Sequence, residues 1–325
     1  MRTTVSSVLC LVCMLGFAGC GRQQENTLTV AVIPKCTSSQ FWETVEEGAR
    51  EAAGRLGVEV RWEGPLAETE IAEQNKIIEN MINLDVGGIA LAPLNPKAMR
   101  KTVETAVAAG IPVVIFDSAV DGDAHTSFVA SDNELGGRLA AEHMIGLLGP
   151  QEAELIVFRY VQGTASTEAR AQGFIDAVRE AGMKVVADPY PEDGSVAGCK
   201  KTASNTLERF IRDEKLQLGG VFCCNDRSSM GAVAALDDIR KSGIQVDVRC
   251  IGFDFPPKLV DALTAGQIDA LMAQDPRGMG ALAVETLVKH LHGETVPEFV
   301  DTGVRLVTRE RLKEDPALRK LVGIE

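Results

Sequence analysis

Between residues 28 and 254, short apolar runs alternate with stretches whose apolar residues recur at helical spacing, and the whole alternation occurs twice. The first half reads LTVAVI (28–33), a helical pattern over 40–56, VEVRW (58–62), a helix over 70–84, GGIALA (87–92), a helix over 96–109 and IPVVIF (111–116). The second reads AELIVFRY (153–160), a helix over 166–181, MKVVA (183–187), a helix over 196–214, GGVFCC (219–224), a helix over 228–242 and DVRCIGF (247–253). Apolar runs without polar alternation are buried on both faces, as in a parallel sheet covered by helices on each side. The predicted fold class is therefore α/β and doubly wound.

The halves also correspond in detail. EGAREAAGRLGVEV carries Gly48, Ala52 and Gly57, and QGFIDAVREAGMKVV carries Gly173, Ala177 and Gly182 at the same offsets. VGGIALAP answers LGGVFCCN, and VVIFD ending at Asp117 answers CIGFD ending at Asp254. Three matches in one order predict two similar lobes instead of one large sheet.

Open α/β sheets bind ligands beyond the carboxyl ends of their strands. Those ends carry Lys35, Phe41, Trp42 and Asp117 in the first half, and Arg170, Asn225, Asp226 and Asp254 in the second. If the lobes face each other, these groups line one cleft. Carboxylates, an amide and a guanidinium bond adjacent hydroxyls, and a flat aromatic packs on the C–H face of a sugar ring, so the inventory suits a polyol. Each group also has a plainer reading: Asp117 and Asp254 as loop caps, Trp42 as a core residue and Arg170 as a surface ion-pair partner. Within NDRSSMGA, the apolar run stops at Cys224, so Asn225 is expected to reach into the cleft while Asp226 caps the helix.

Charge and cysteine usage exclude other classes. The chain has 33 basic and 46 acidic residues, a net charge of −13, and no basic run, which disfavours a nucleic-acid partner. Cys36, Cys199, Cys223, Cys224 and Cys250 show no C-x-x-C and no histidine at ligand spacing, so no metal or cofactor is expected and buried thiols are. Cys223 and Cys224 point to opposite faces of a strand and cannot clamp one metal. No G-x-S-x-G, H-E-x-x-H or Walker A loop is present, and His125, His143, His290 and His292 are scattered, each read as a surface residue; no catalytic role is expected. GMGALA (278–283) follows Pro276 and reads as small residues for close helix packing, not as a dinucleotide fingerprint.

The chain resembles the type I periplasmic substrate-binding proteins of the ribose-binding group, the extracytoplasmic receptors of sugar ABC transporters. The resemblance runs from AVIPKCTSSQFWETVEEGAREAA to TGVRL, through AAGIPVVIFDS, VASDNELGG, STEARAQGF, NDRSSMGA, CIGFDFPP and LMAQDPRGMG. It implies two lobes, 28–131 plus 276–302 and 132–275 plus 303–325, with crossovers near 131–133, 274–277 and 301–304 and hinge closure on the ligand. It places the family's ligand contacts on Ser39, Phe41, Trp42, Asp117, Arg170, Asn225, Asp254 and Gln274, and implies a monomer that delivers a pentose, hexose or related polyol to ABC permease subunits. Three positions depart: Ala92 where a polar residue is common, Ser118 where ribose binders have a basic one, and only Tyr190 near the place of a second-lobe aromatic. Lys35 after Ile33-Pro34 is similar to binders of branched or deoxy sugars and of the furanosyl signal autoinducer-2.

Residues 1–19 read as a secretory signal, with Arg2, an apolar stretch from Val5 to Phe17 and small residues before Cys20. Phe17-Ala18-Gly19-Cys20 resembles a bacterial lipobox, which would make Cys20 a lipidated N-terminus followed by a polar tether over 20–27. The expected location is the periplasm or cell surface, with membrane attachment through lipid alone. The alternatives are a receptor that presents autoinducer-2 or another small signal to a chemosensor, and a sugar-responsive repressor-like core without a DNA-binding domain, where a signal peptide stands instead of a helix-turn-helix.

Overall fold

The computed structural model describes residues 27–149 and 152–324; the expected signal segment and Cys20 lie outside them. Two six-stranded sheets dominate. Across the first run the strands Phe299–Asp301, Ser127–Ala130, Val113–Phe116, Gly88–Leu91, Thr29–Ile33 and Glu59–Trp62, all parallel. Across the second run Arg305–Val307, Ala270–Ala273, Arg249–Phe253, Gly220–Cys223, Glu154–Phe158 and Lys184–Ala187, parallel except for the antiparallel edge strand Arg305–Val307. Both sheets thus have the same strand order. The chain passes between them after Ala130, after Ala273 and after Asp301.

Each sheet is covered on both faces, as uninterrupted apolar strands require. In the first lobe, helices Gln40–Leu56 and Pro276–Leu291 close one face over Val32, Ala90 and Val114; helices Ile71–Asn83 and Pro96–Ala108 close the other over Ile33, Ile89 and Ile115. The second lobe repeats this with Asn133–Leu148 and Ala165–Glu180 on one face, and Val196–Leu207 and Asp226–Lys241 on the other. Among the described residues the five cysteines are all buried and form no disulfide. Cys223 packs with Cys250 on one face of the second sheet and Cys224 with Phe174 and Phe222 on the other, the alternation expected of a strand.

The repeated glycines hold the paired helices together. A Cβ on Gly48 would overlap the backbone of Arg277, and one on Gly280 that of Val45; in the second lobe Gly173 and Gly137 meet the backbones of Glu134 and Arg170 in the same way. The helices therefore touch main chain to main chain. Gly280→Ala forces them apart, and overpacking of this kind costs about 1–3 kcal/mol. We expect a melting transition lowered by several degrees, measured by calorimetry, whereas Gly54→Ala, which meets nothing, should leave it unchanged or raise it.

Two expectations need correction. The helix read over 196–214 ends at Leu207, and a 3-10 turn (Glu208–Phe210) leads into a hairpin, Ile211–Arg212 with Lys215–Leu216, joined by Gln245–Val246. Its turn residues Asp213 and Glu214 both take left-handed backbone (φ 50° and 56°), and Ile211 and Leu216 pack against the second lobe's core. Tertiary packing there overrides a sequence of good helix formers. His125 and His143, read as surface residues, are half-buried, whereas His290 and His292 are exposed.

Candidate ligand-binding site

The strand ends of both sheets converge on one chamber between the lobes, lined by Lys35, Ser39, Phe41, Trp42, Glu68, Asp117, Ser166, Thr167, Arg170, Asn225, Asp226, Asp254 and Gln274. All ten residues named from the sequence, Lys35, Ser39, Phe41, Trp42, Asp117, Arg170, Asn225, Asp226, Asp254 and Gln274, are among them. The lobes leave only about 30 Å³ of free space inside it, far below the ~300–1,000 Å³ usual for small-molecule sites.

Asp117 and Asp254 occupy equivalent positions, each directly after a central strand, and both adopt left-handed backbone (φ 61° and 63°). A non-glycine residue there stores roughly 1–3 kcal/mol of strain, least for Asp and Asn, and such strain concentrates at functional sites. On the first-lobe side, the buried Lys35 ammonium lies 2.6 Å from Asp117 Oδ2 and donates across the cleft to Ser166 Oγ at 2.9 Å. On the other side, Arg170 is 3% exposed. Its Nε donates to Asn133 Oδ1 (2.7 Å), its Nη1 donates to the Cys224 carbonyl (3.1 Å) and lies 4.0 Å from Asp254 Oδ2, and its guanidinium stacks on the Phe253 ring at 3.9 Å. Gln274 Nε2 donates to Asp254 Oδ1 at 2.8 Å, while its own Oε1 is buried with no partner among the described residues.

The aromatic wall is Phe41 and Trp42, in edge contact at 5.0 Å. Trp42 is both core and site: its ring packs on Phe116 at 6.1 Å and its Nε1 donates to Glu68 at 3.1 Å. Ser39 precedes the helix without capping it. Tyr190 is outside the chamber, half-exposed, with its hydroxyl on Glu168 and its ring under Arg159.

The Asn225–Asp226 assignment is reversed in part. Asn225 is the helix cap: its Oδ1 accepts from the Ser228 N–H at 3.0 Å, and Ser228 Oγ accepts from the Asn225 N–H. Asn225 still lines the chamber, but only its amide donors remain for a ligand. Asp226, the first helical residue, accepts from the Arg227 N–H and lines the chamber alongside it. Glu68, Ser166 and Thr167 belong to the site and escaped the sequence reading; Glu68 sits in an irregular loop, where no periodicity marks it.

Burial, reinforced by the charges of Asp254 and Glu68 and opposed by Arg227, raises the Asp226 carboxyl to about 7. Burial also raises Asp254 to about 6, against the lowering effects of Arg170 and Gln274. Between pH ~4, where free carboxyls ionise, and the raised values, the folded protein holds protons the unfolded chain has released. This contribution to stability is present below about pH 4 and is lost as pH rises through 6 and 7. We expect the melting temperature to fall between pH 5 and 8, and Asp226→Asn to flatten that slope.

The lobes touch directly at further points. Ser166 N–H donates to Ser118 Oγ (3.1 Å), Asn95 Nδ2 to the Gly163 carbonyl (3.4 Å), and Arg227 Nη2 to Ser38 Oγ (3.4 Å). Ser118, where ribose binders carry a basic residue, is thus an interlobe acceptor. Among the described residues no cluster fit to hold a metal occurs, and no helix is long and apolar enough to cross a membrane.

Two like lobes linked by three crossings around a buried polar chamber define a two-lobe solute-binding protein. A family model for the periplasmic binding protein domain matches residues 30–295, and the chain belongs to that family, one of substrate-binding transport proteins. It is 30% identical over 294 residues to the D-ribose/D-allose-binding protein of Pseudomonas aeruginosa, covering 86% of this chain and 88% of the relative. It is 29% identical over 292 residues to the D-allose-binding periplasmic protein of Escherichia coli, covering 86% and 91%. Among solved structures, a carbohydrate transporter solute-binding protein from Agrobacterium radiobacter in complex with D-arabinose superposes with a TM-score of 0.84 at 32% identity, covering 92% of this chain and 99% of that one. An ABC transporter solute-binding protein from Agrobacterium vitis with bound D-fucose gives 0.84 at 33% identity, covering 90% and 99%.

Proposed function

We propose that this chain captures a monosaccharide, a pentose, hexose or related polyol, in the interlobe chamber and delivers it to an ABC permease. The observation that carries this reading is the chamber itself. Buried carboxylates, the Asn225 amide donors, the orphaned Gln274 Oε1 and the Phe41–Trp42 wall combine hydrogen-bonding groups for hydroxyls with an apolar surface for a ring face. Ser39, Phe41, Trp42, Asp117, Arg170, Asn225, Asp254 and Gln274 are the proposed contacts, with Lys35 and Asp226 added. The relatives named for ribose and allose, and the neighbours holding arabinose and fucose, support the ligand class. A thermal-shift screen against D-ribose, D-allose, D-arabinose and D-fucose tests it, because a ligand bound only by the native state raises the melting temperature by mass action. No shift with any pentose, hexose or polyol at millimolar concentration would overturn the reading.

The proposed setting is the periplasm or the cell surface, with lipid on Cys20 as the membrane anchor. Wild-type protein is then expected in the detergent phase and Cys20→Ser in the aqueous phase of a Triton X-114 partition. Wild type in the aqueous phase with a free N-terminus beyond Cys20 would contradict the anchor.

A further inference from the structure

Phe41, Asp226 and Asp254 also line a second, larger space, a lateral groove of about 540 Å³. The groove runs between the start of helix Gln40–Leu56 in the first lobe and Pro256, Pro257 and the carboxyl-terminal Leu321–Ile324 segment in the second. Its walls differ from those of the chamber. Phe255, the two prolines and Leu321 give flat apolar surface, while Gln40, Thr44 and Lys320 bring polar groups to its edge. None of the residues that bond across the lobes at Lys35–Ser166, Ser118–Ser166, Asn95–Gly163 or Ser38–Arg227 lines it. Occupying the groove therefore costs no interlobe bond.

From this adjacency we infer that the protein takes glycosides: one sugar ring sits in the chamber, and a second ring, linked to it, lies in the groove against Phe41 and Phe255. The inference rests on the reading of the chamber as a monosaccharide site and extends it. A chamber sealed on all sides selects free monosaccharides, because any substituent meets a wall. Here Phe41, Asp226 and Asp254 border the groove as well as the chamber, and aromatic and proline faces with polar groups beside them are the surface on which a ring with hydroxyls at its edge packs.

Titration calorimetry on the full-length wild-type protein tests it, using D-ribose, D-allose, D-arabinose and D-fucose and the α- and β-phenyl glycoside of each as a probe of ring size. At least one phenyl glycoside is expected to bind about three- to tenfold more tightly than its parent, the advantage of a ring stacked on an aromatic face. Phe255→Ala should reduce that advantage, and Leu321→Trp, which fills the groove, should abolish it, with the parent sugar bound as before in both. If the parents bind and every glycoside binds more weakly, the second ring site is wrong and monosaccharide capture stands. If a glycoside gains affinity equally in wild type and both variants, its ring lies elsewhere and the groove is again wrong. If neither parents nor glycosides bind, both readings fall.

Discussion

Arg170→Ala should bind no sugar measurably and should be the least stable single variant of the site. The guanidinium is 3% exposed, donates to Asn133 Oδ1 and the Cys224 carbonyl, and lies 4.0 Å from the Asp254 carboxylate. Removing it leaves all three buried without their cation, and breaking a buried pair from one side costs about 3–5 kcal/mol. It also removes the face that packs on Phe253 and the charge that keeps Asp254 from rising further. Urea melts should show the midpoint falling with the slope unchanged, and calorimetry should show the loss of binding. Arg170→Lys keeps the charge but not the fork, and should recover part of the stability and little of the affinity. A stable Arg170→Ala protein with full affinity would remove Arg170 from the site.

The second large effect is expected at Lys35. Lys35→Met preserves the length of the stem and deletes the ammonium, stranding an Asp117 carboxylate that is itself buried. The same change removes the hydrogen bond to Ser166 that joins the lobes. A loss of about 3–5 kcal/mol in stability is expected at neutral pH. Lys35→Met combined with Asp117→Asn should regain much of that loss, because the stranded charge is gone, yet should not regain affinity. Urea melts and calorimetry on the single and double variants separate the two effects. Equal stability for wild type and Lys35→Met would mean that the pair contributes nothing to the fold.

Much of this was legible in the sequence because the chain states it twice. The matched glycines, the paired Gly-Gly strands and the two Phe-Asp strand ends fix the duplicated lobes and bring Asp117 and Asp254 to one place. What stayed hidden has no periodic signature. Glu68 enters from an irregular loop, and Ser166 and Thr167 lie at the start of a helix where hydroxyls also serve as caps. The exchange of roles between Asn225 and Asp226 could not be read either, since both types cap helices well and only backbone geometry decides which does. The short hairpin after Leu207 escaped because its residues favour a helix until Ile211 and Leu216 find the core.

The left-handed backbone shared by Asp117 and Asp254 bears on how such a receptor changes its diet. Asparagine occupies that conformation as readily as aspartate and has nearly the same shape, so an Asp→Asn exchange at 254 leaves the main chain undisturbed. The exchange nonetheless turns a pure acceptor into a group that also donates, which inverts the pattern of hydroxyls it recognises. Most other replacements there meet the backbone penalty as well as the chemical change. The internal repeat thus places the same two-letter switch on either side of the chamber, so hydroxyl preference can change at position 254 without a new scaffold.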